Sequence, residues 1–180
     1  MRRDLVTGAL AVVIFTLLLG LAYPLAMTGI SQVAFHAKAN GSPALIARPF
    51  PGPRYFHPRP SQTNYDARAT AFSNRGPNQR SARAFYAREL AAYLKAERPF
   101  TPRLTAARVP VDAVTTSASG VDPEISVANA RIQANRVARV RGLRLARVLA
   151  LVDKSTVGRF LGVFGEPGVN VVRLNEALGR

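Results

Sequence analysis

From Leu5 to Phe35 the chain runs for 31 residues without a charged side chain, and Leu10 to Leu19 within it reads LAVVIFTLLL. A helix that crosses a bilayer needs about 20 predominantly apolar residues. This segment is therefore long enough to span with tilt, and it sets the first 36 residues apart from any water-soluble core. A cleaved signal peptide is the competing reading. Its apolar stretch runs only about 7 to 15 residues, and the small-x-small site Ala37-Lys38-Ala39 lies well beyond where such a stretch ends. The expectation is a retained single-pass helix over residues 1–36.

Within the span, Pro24 has no amide hydrogen for the carbonyl of Gly20, and its ring crowds that carbonyl, so a kink is expected there. Thr16, Gly20, Pro24 and Thr28 recur every fourth residue and align small or hydroxyl-bearing groups on one face. Such a face lets helices approach closely in lipid, where packing drives association. It is a candidate contact for a membrane partner. Arg2 and Arg3 precede the span, whereas Lys38 and Arg48 follow it at a greater distance. That balance leans toward an N-terminus inside and a C-terminal domain outside the cytoplasm.

The remaining length suits one domain. Cysteine is absent, which removes disulfides, thiolate nucleophiles and sulfur-ligated zinc. The net charge is +15, from 25 basic and 10 acidic residues, with lysine only at 38, 95 and 154. Residues 40–108 hold twelve basic and three acidic side chains, and residues 109–180 hold ten and six. The excess is spread out, without the basic run and interleaved aromatics of a nucleic-acid binder. Nucleic acid is not an expected partner, and most arginines should lie on a solvated surface.

Residues 37–80 form a proline-rich irregular arm, with six prolines between Asn40 and Pro60 and at most a short strand at 44–47. Residues 81–180 form the core of the domain. Ala82, Tyr86, Leu90, Tyr93 and Leu94 give an amphipathic helix over 81–97 that Pro99 and Pro102 end. The alternating VPVDAV at 109–114 predicts a strand. Asp122-Pro123-Glu124 reads as a helix start running to Gly142, with Ile125, Ala128, Ile132, Val137 and Val140 on its buried face. Leu145, Val148, Leu149 and Val152 mark a second helix, and VNVV at 169–172 an extended segment before a short helix at 174–178. The fold class is α+β: one N-terminal transmembrane helix followed by a single compact extracytoplasmic domain with helices predominating.

Catalytic groups are sparse. Only His36 and His57 exist, so no histidine metal site is expected. His57, Ser61 and Asp66 are the one conceivable triad, but they sit in a turn-rich arm. Ser117, Ser119 and Gly120 stand before the expected helix start at Asp122, where free amides favour an anion. They are the small-ligand candidates, set against a plain capped turn. An accessory or assembly role follows better than an active site.

Read in order, a series of short motifs is specific: Tyr23-Pro24-Leu25, Ala39-Asn40-Gly41-Ser42, Tyr55-Phe56-His57-Pro58-Arg59-Pro60-Ser61, Ser73-Asn74 and Val109-Pro110-Val111-Asp112. It continues through Val114-Thr115, Ser117 to Gly120, Asp122, Arg136-Val137-Ala138, Gly165-Glu166-Pro167, Val169-Asn170-Val171 and Leu174-Asn175. In these the chain resembles the C subunit of the Kdp-type potassium-transporting ATPases, bacterial P-type pumps of several membrane subunits.

The resemblance implies an inner-membrane subunit, itself without catalytic residues or an intrinsic cofactor. Its implied partners are a potassium-channel-like subunit and an ATP-hydrolysing subunit, whose complex it assembles or stabilises. It further implies a chaperone-like rise in ATP affinity. The family's Leu-Ile-Gly-Gln is Leu45-Ile46-Ala47-Arg48 here, so no nucleotide contact is assigned to that segment. The expected contact residues are the stripe Thr16, Gly20, Pro24 and Thr28 together with Tyr55, Phe56, His57, Arg59, Ser61 and Asp122. Two rivals remain: a membrane-tethered basic module holding anionic lipid or envelope polymer, and an envelope hydrolase using His57.

Overall fold

The computed structural model describes residues 1–36, Asn40 and 43–179, and the chain divides into two units, Met1–Ser42 and Pro43–Arg180. Ala37-Lys38-Ala39 and most of the motif Ala39 to Ser42 lie outside the described residues.

In the first unit, α1 (Arg2–Leu17), a π-helical segment (Leu18–Ala22) and α2 (Tyr23–Ala34) join into one apolar helix of 33 residues, long enough to cross a membrane. At 1.5 Å per residue it measures roughly 50 Å. None of its side chains is buried, as suits a helix whose solvent is lipid. The proline is accommodated by winding: the Tyr23 amide reaches back five residues to the Leu18 carbonyl, ahead of the position where Pro24 has no donor.

The second unit opens on a 3-10 turn at Pro43–Leu45 and follows an irregular path to α3 (Arg80–Glu97). Two more 3-10 turns, Ala106–Arg108 and Val111–Ala113, lead to β1 (Glu124–Ser126) and α4 (Val127–Arg141). Then come α5 (Leu145–Lys154), β2 (Thr156–Val157), β3 (Gly168–Asn170) and α6 (Val171–Leu178). The sheet order is β1-β3-β2, antiparallel throughout, with Ile125 opposite Val169 and Thr156 also opposite Val169. The α+β class with helices predominating holds.

The core gathers Phe56 from the arm, Ile125 and Val169 from the sheet, and Val148, Val152, Val171 and Leu174 from the helices. Helix α4 presents Ala130, Ala134, Val137 and Ala138 to it, small side chains that let neighbouring elements pack closely. Gly142 closes α4 in the left-handed region at φ 66, where a residue without a Cβ carries no steric cost.

Five local expectations are corrected. The segment 109–114 is no strand: Pro110 supplies no ladder donor, and the turn aims Asp112 at the start of α4. There its carboxylate accepts from Ser126 N, Ser126 Oγ and Asn129 Nδ2 at 2.7–2.9 Å. The helix does not start at Asp122. Residues 124–126 pair with β3 instead, and α4 is capped by Ser126, whose Oγ accepts from Asn129 N at 3.1 Å. Residues 44–47 form no strand, since Pro43–Leu45 make a 3-10 turn, and the extended run from 168 stops at Asn170, which caps α6 by accepting from Arg173 N. The buried face of α4 is also rotated from the expected one, for Ala128 is exposed while Asn129, Gln133 and Arg136 are buried.

Candidate functional site

The proline-rich arm lacks regular structure, and amide side chains take the place of a neighbouring strand. Asn175 brackets Phe56, accepting its N–H and donating to its carbonyl, both at 2.9 Å. Gln133 does the same for His57, at 2.8 and 3.1 Å. Arg136 then binds the carbonyls of Pro53 and Tyr55 through Nη1 and Gln133 Oε1 through Nη2. Its Nε donates to Glu97 Oε1 at 2.8 Å, and both residues are 1 % exposed. This makes a buried, charge-assisted junction between arm, α3 and α4.

Held on this base, two loops close on each other. Arg59 Nη2 donates to Thr115 Oγ1 and the Thr116 carbonyl at 3.1 and 3.0 Å, and its Nη1 lies 3.8 Å from Asp122 Oδ2. Ser117 N donates to the Pro60 carbonyl, and Ser61 Oγ donates to the Gly120 carbonyl at 2.6 Å. Gly120 sits at φ +77, where an added Cβ would stand 2.6 Å from Thr63 Oγ1 and 3.1 Å from the Ala71 carbonyl oxygen. Only glycine fits that position.

Beside this junction lies a cavity of about 260 Å³, whose lining includes His57, Tyr65, Glu89, Tyr93 and Gln133. Burial pushes the Tyr65 phenol up to about 12, with Glu89 adding to the effect. Burial also raises Tyr93, whose hydroxyl donates to Asn129 Oδ1 at 2.8 Å. Burial raises Glu97 as well, against the pull of Arg136. His57 is held below its ordinary value by burial and by the Arg136 charge, while the contact of its Nε2 with the Gly52 carbonyl, 2.9 Å, acts the other way. That geometry assigns the neutral ring's proton to Nε2.

The depressed His57 value fixes the sign of a pH effect. Between it and about 6.5 the unfolded chain binds more protons than the folded one, so stability is full above about 6.5 and falls on acidification through that window. The His57→Gln variant should lose less of its melting temperature between about pH 7 and about pH 5 than the parent. Equal losses would place the acid sensitivity elsewhere.

Several expected site residues are repositioned by these contacts. Phe56 was expected at a partner contact and is instead fully buried in the core. Ser117 and Gly120 are buried and committed to loop closure, and Ser119 Oγ accepts from Val121 N. With β1 following instead of a helix N-terminus, the basis for an anion at 117–120 is gone. His57, Ser61 and Asp66 are not joined, for each bonds elsewhere: Gly52, Gly120 and Arg68 respectively. Arg59 and Asp122 approach to 3.8 Å and Ser61 bonds the neighbouring Gly120 carbonyl, whereas Tyr55 packs against Phe50 and Arg141. In the membrane unit, Thr28 Oγ1 donates to the Pro24 carbonyl at 2.8 Å, and a Cβ on Gly20 would meet only Thr16 Cγ2, at 3.9 Å. No group of three or more metal-ligating side chains occurs among the described residues.

The residues that sequence reading missed are Asn129, Gln133 and Arg136. Their i, i+4, i+7 spacing beside Ala130, Ala134 and Val137 is a polar stripe set within an apolar face, a signal visible in retrospect.

The family described as K+-transporting ATPase, c chain, matches residues 5–180. A potassium-transporting ATPase KdpC subunit of Caulobacter sp. (strain K31) is 49% identical over 180 residues, covering 92% of this chain and 87% of that protein. The protein of the same name from Mycobacterium bovis (strain BCG / Pasteur 1173P2) is 43% identical over 192 residues, covering all of both chains. With a family match across nearly its whole length and relatives this similar, the chain belongs to the family of K+-transporting ATPase c chains.

Proposed function

We propose that this chain is a non-catalytic accessory subunit of an ATP-driven potassium import complex. Its helix anchors it once in the inner membrane, with the N-terminus cytoplasmic and the domain outside. It assembles or stabilises a channel-like subunit and an ATP-hydrolysing subunit. The observation that carries this reading is the family match over residues 5–180. The geometry supports it, because the polar groups of the domain are spent on fixing two loops and not on a nucleophile and its base.

Contact is proposed through the face of Thr16, Gly20, Pro24 and Thr28 in the membrane, and through Tyr55, His57, Arg59, Ser61 and Asp122 on the loops. An effect on the ATP affinity of the catalytic subunit would be exerted through these contacts, since Ser117 and Gly120 are buried. Co-purification of the other two subunits with the tagged chain tests the assignment.

Orientation has its own test. The chain has no cysteine, and Ala91 lies exposed on α3, so Ala91→Cys introduces a single reactive thiol. An impermeant thiol reagent should label it in intact cells. Protection until the cells are opened would reverse the topology.

A further inference from the structure

Between β2 and β3 the chain makes a tight loop whose tip, Phe160 to Phe164, reads FLGVF. Phe160, Leu161, Val163 and Phe164 are 72, 76, 74 and 64 % exposed. The tip is not loose. Phe160 N donates to the Phe164 carbonyl at 2.8 Å and Phe164 N to the Phe160 carbonyl at 2.9 Å. Arg159 Nη2 closes the base on both carboxylate oxygens of Glu166, at 3.0 and 3.1 Å. Leu161 is held at φ 53, a conformation disfavoured for a bulky side chain, so the loop keeps four large apolar groups outward at a conformational cost. Exposed apolar clusters of this kind mark an interaction surface.

Two neighbouring features say what the surface meets. First, a groove begins where the loop begins: Lys154, Thr156 and Val157 line it with Arg147, Arg173 and Glu176. Glu176 is paired with Arg48, and Glu166 with Arg159, whereas Arg147, Lys154 and Arg173 have no carboxylate partner among the described residues. The groove therefore carries net positive charge beside an apolar tip.

Second, the first residues of the domain lie beside that groove, where Arg48 pairs with its Glu176. Only residues 35–42 separate α2 from Pro43, and the Ala44 carbonyl accepts from Asn170 Nδ2 of β3 at 2.7 Å. Leu45 and Ile46, at the start of the domain, are themselves exposed apolar side chains. Apolar side chains that enter the acyl boundary, flanked by cations that hold anionic headgroups, are the chemistry of interfacial membrane binding.

We propose that the 160–164 loop inserts into the interface of the bilayer that holds the chain's own helix, and that Arg147, Lys154 and Arg173 bind the headgroups of anionic phospholipid there. This pins the domain to the membrane surface independently of any partner subunit.

The chain contains no tryptophan, so Phe160→Trp in the full-length protein gives a single reporter. It is reconstituted in phosphatidylcholine vesicles with and without phosphatidylglycerol, a fraction of the lipid carrying brominated acyl chains. The expected result is blue-shifted emission that the bromines quench, with deeper quenching when phosphatidylglycerol is present. Replacing Arg147, Lys154 and Arg173 together by glutamine should abolish that gain. Val163→Trp, on the same tip, repeats the measurement should the first variant misfold. Red, unquenched emission from both reporters in both lipid mixtures would overturn the proposal. So would emission that turns blue only when the other subunits are present and stays unquenched, for the loop would then be covered by protein.

Discussion

Replacing Arg136 by alanine should destabilise the domain by about 3–5 kcal/mol, the usual cost of leaving one member of a buried ion pair without its partner. The side chain serves four acceptors: Glu97 Oε1, the carbonyls of Pro53 and Tyr55, and Gln133 Oε1. Alanine leaves the Glu97 carboxylate buried and uncompensated and removes the donors that hold two arm carbonyls. Domains of this size have only about 5–15 kcal/mol to lose, so the arm should come free of α4 and the loop pair above it should open. Lysine should recover only part of the loss, since it restores the charge but not the planar fork. Replacing Arg136 and Glu97 together by alanine should cost less than the sum of the single changes. Urea titration of the purified protein in detergent, read by circular dichroism, gives these differences. A loss below about 1 kcal/mol for the single variant would mean that the junction does not hold the arm.

The second large effect concerns assembly. Gly20→Leu should leave the helix itself intact, because leucine is a good helix former, fits lipid, and its Cβ would meet nothing closer than Thr16 Cγ2 at 3.9 Å. Any consequence must therefore come from outside the chain. If a partner helix packs on the face of Thr16, Gly20, Pro24 and Thr28, the larger side chain holds it away. The loss of roughly 1–2 kcal/mol of packing then lowers recovery of the partner subunits about tenfold at equal expression. Ile14→Leu, off this face, should change nothing. Unchanged recovery with Gly20→Leu would remove the stripe from the interface.

Elements with strong internal signals were legible in the sequence. The apolar run from Leu5, the helical spacing of Ala82 to Leu94 and the Gly142 stop each state a local preference that the fold agrees with. Where the reading failed, a distant partner overruled the local pattern. Asp122-Pro123-Glu124 has the chemistry of a helix start, and Asp122 Oδ1 does accept from Glu124 N at 2.9 Å. Pairing of residues 124–126 with β3 postpones the helix all the same.

The same holds at the site. The loops 55–61 and 115–122 could be named from their motifs, but their closure by Arg59 and Ser61 could not, because it joins residues more than 50 positions apart. The Arg136–Glu97 pair was hidden among many surface arginines, since composition does not reveal which cation is buried. That the apolar residues of the 160–164 loop face outward was not legible either, because it depends on β2 and β3 forming the base beneath it.

The most direct test of the central claim is to purify the tagged full-length chain from native membranes in mild detergent, identify what accompanies it by mass spectrometry, and assay the eluate for potassium-stimulated ATP hydrolysis. Recovery of an ATP-hydrolysing P-type subunit and a channel-like subunit, with hydrolysis that rises on adding potassium, is the predicted result. A folded chain that elutes alone and without such activity would contradict an accessory role in a potassium pump.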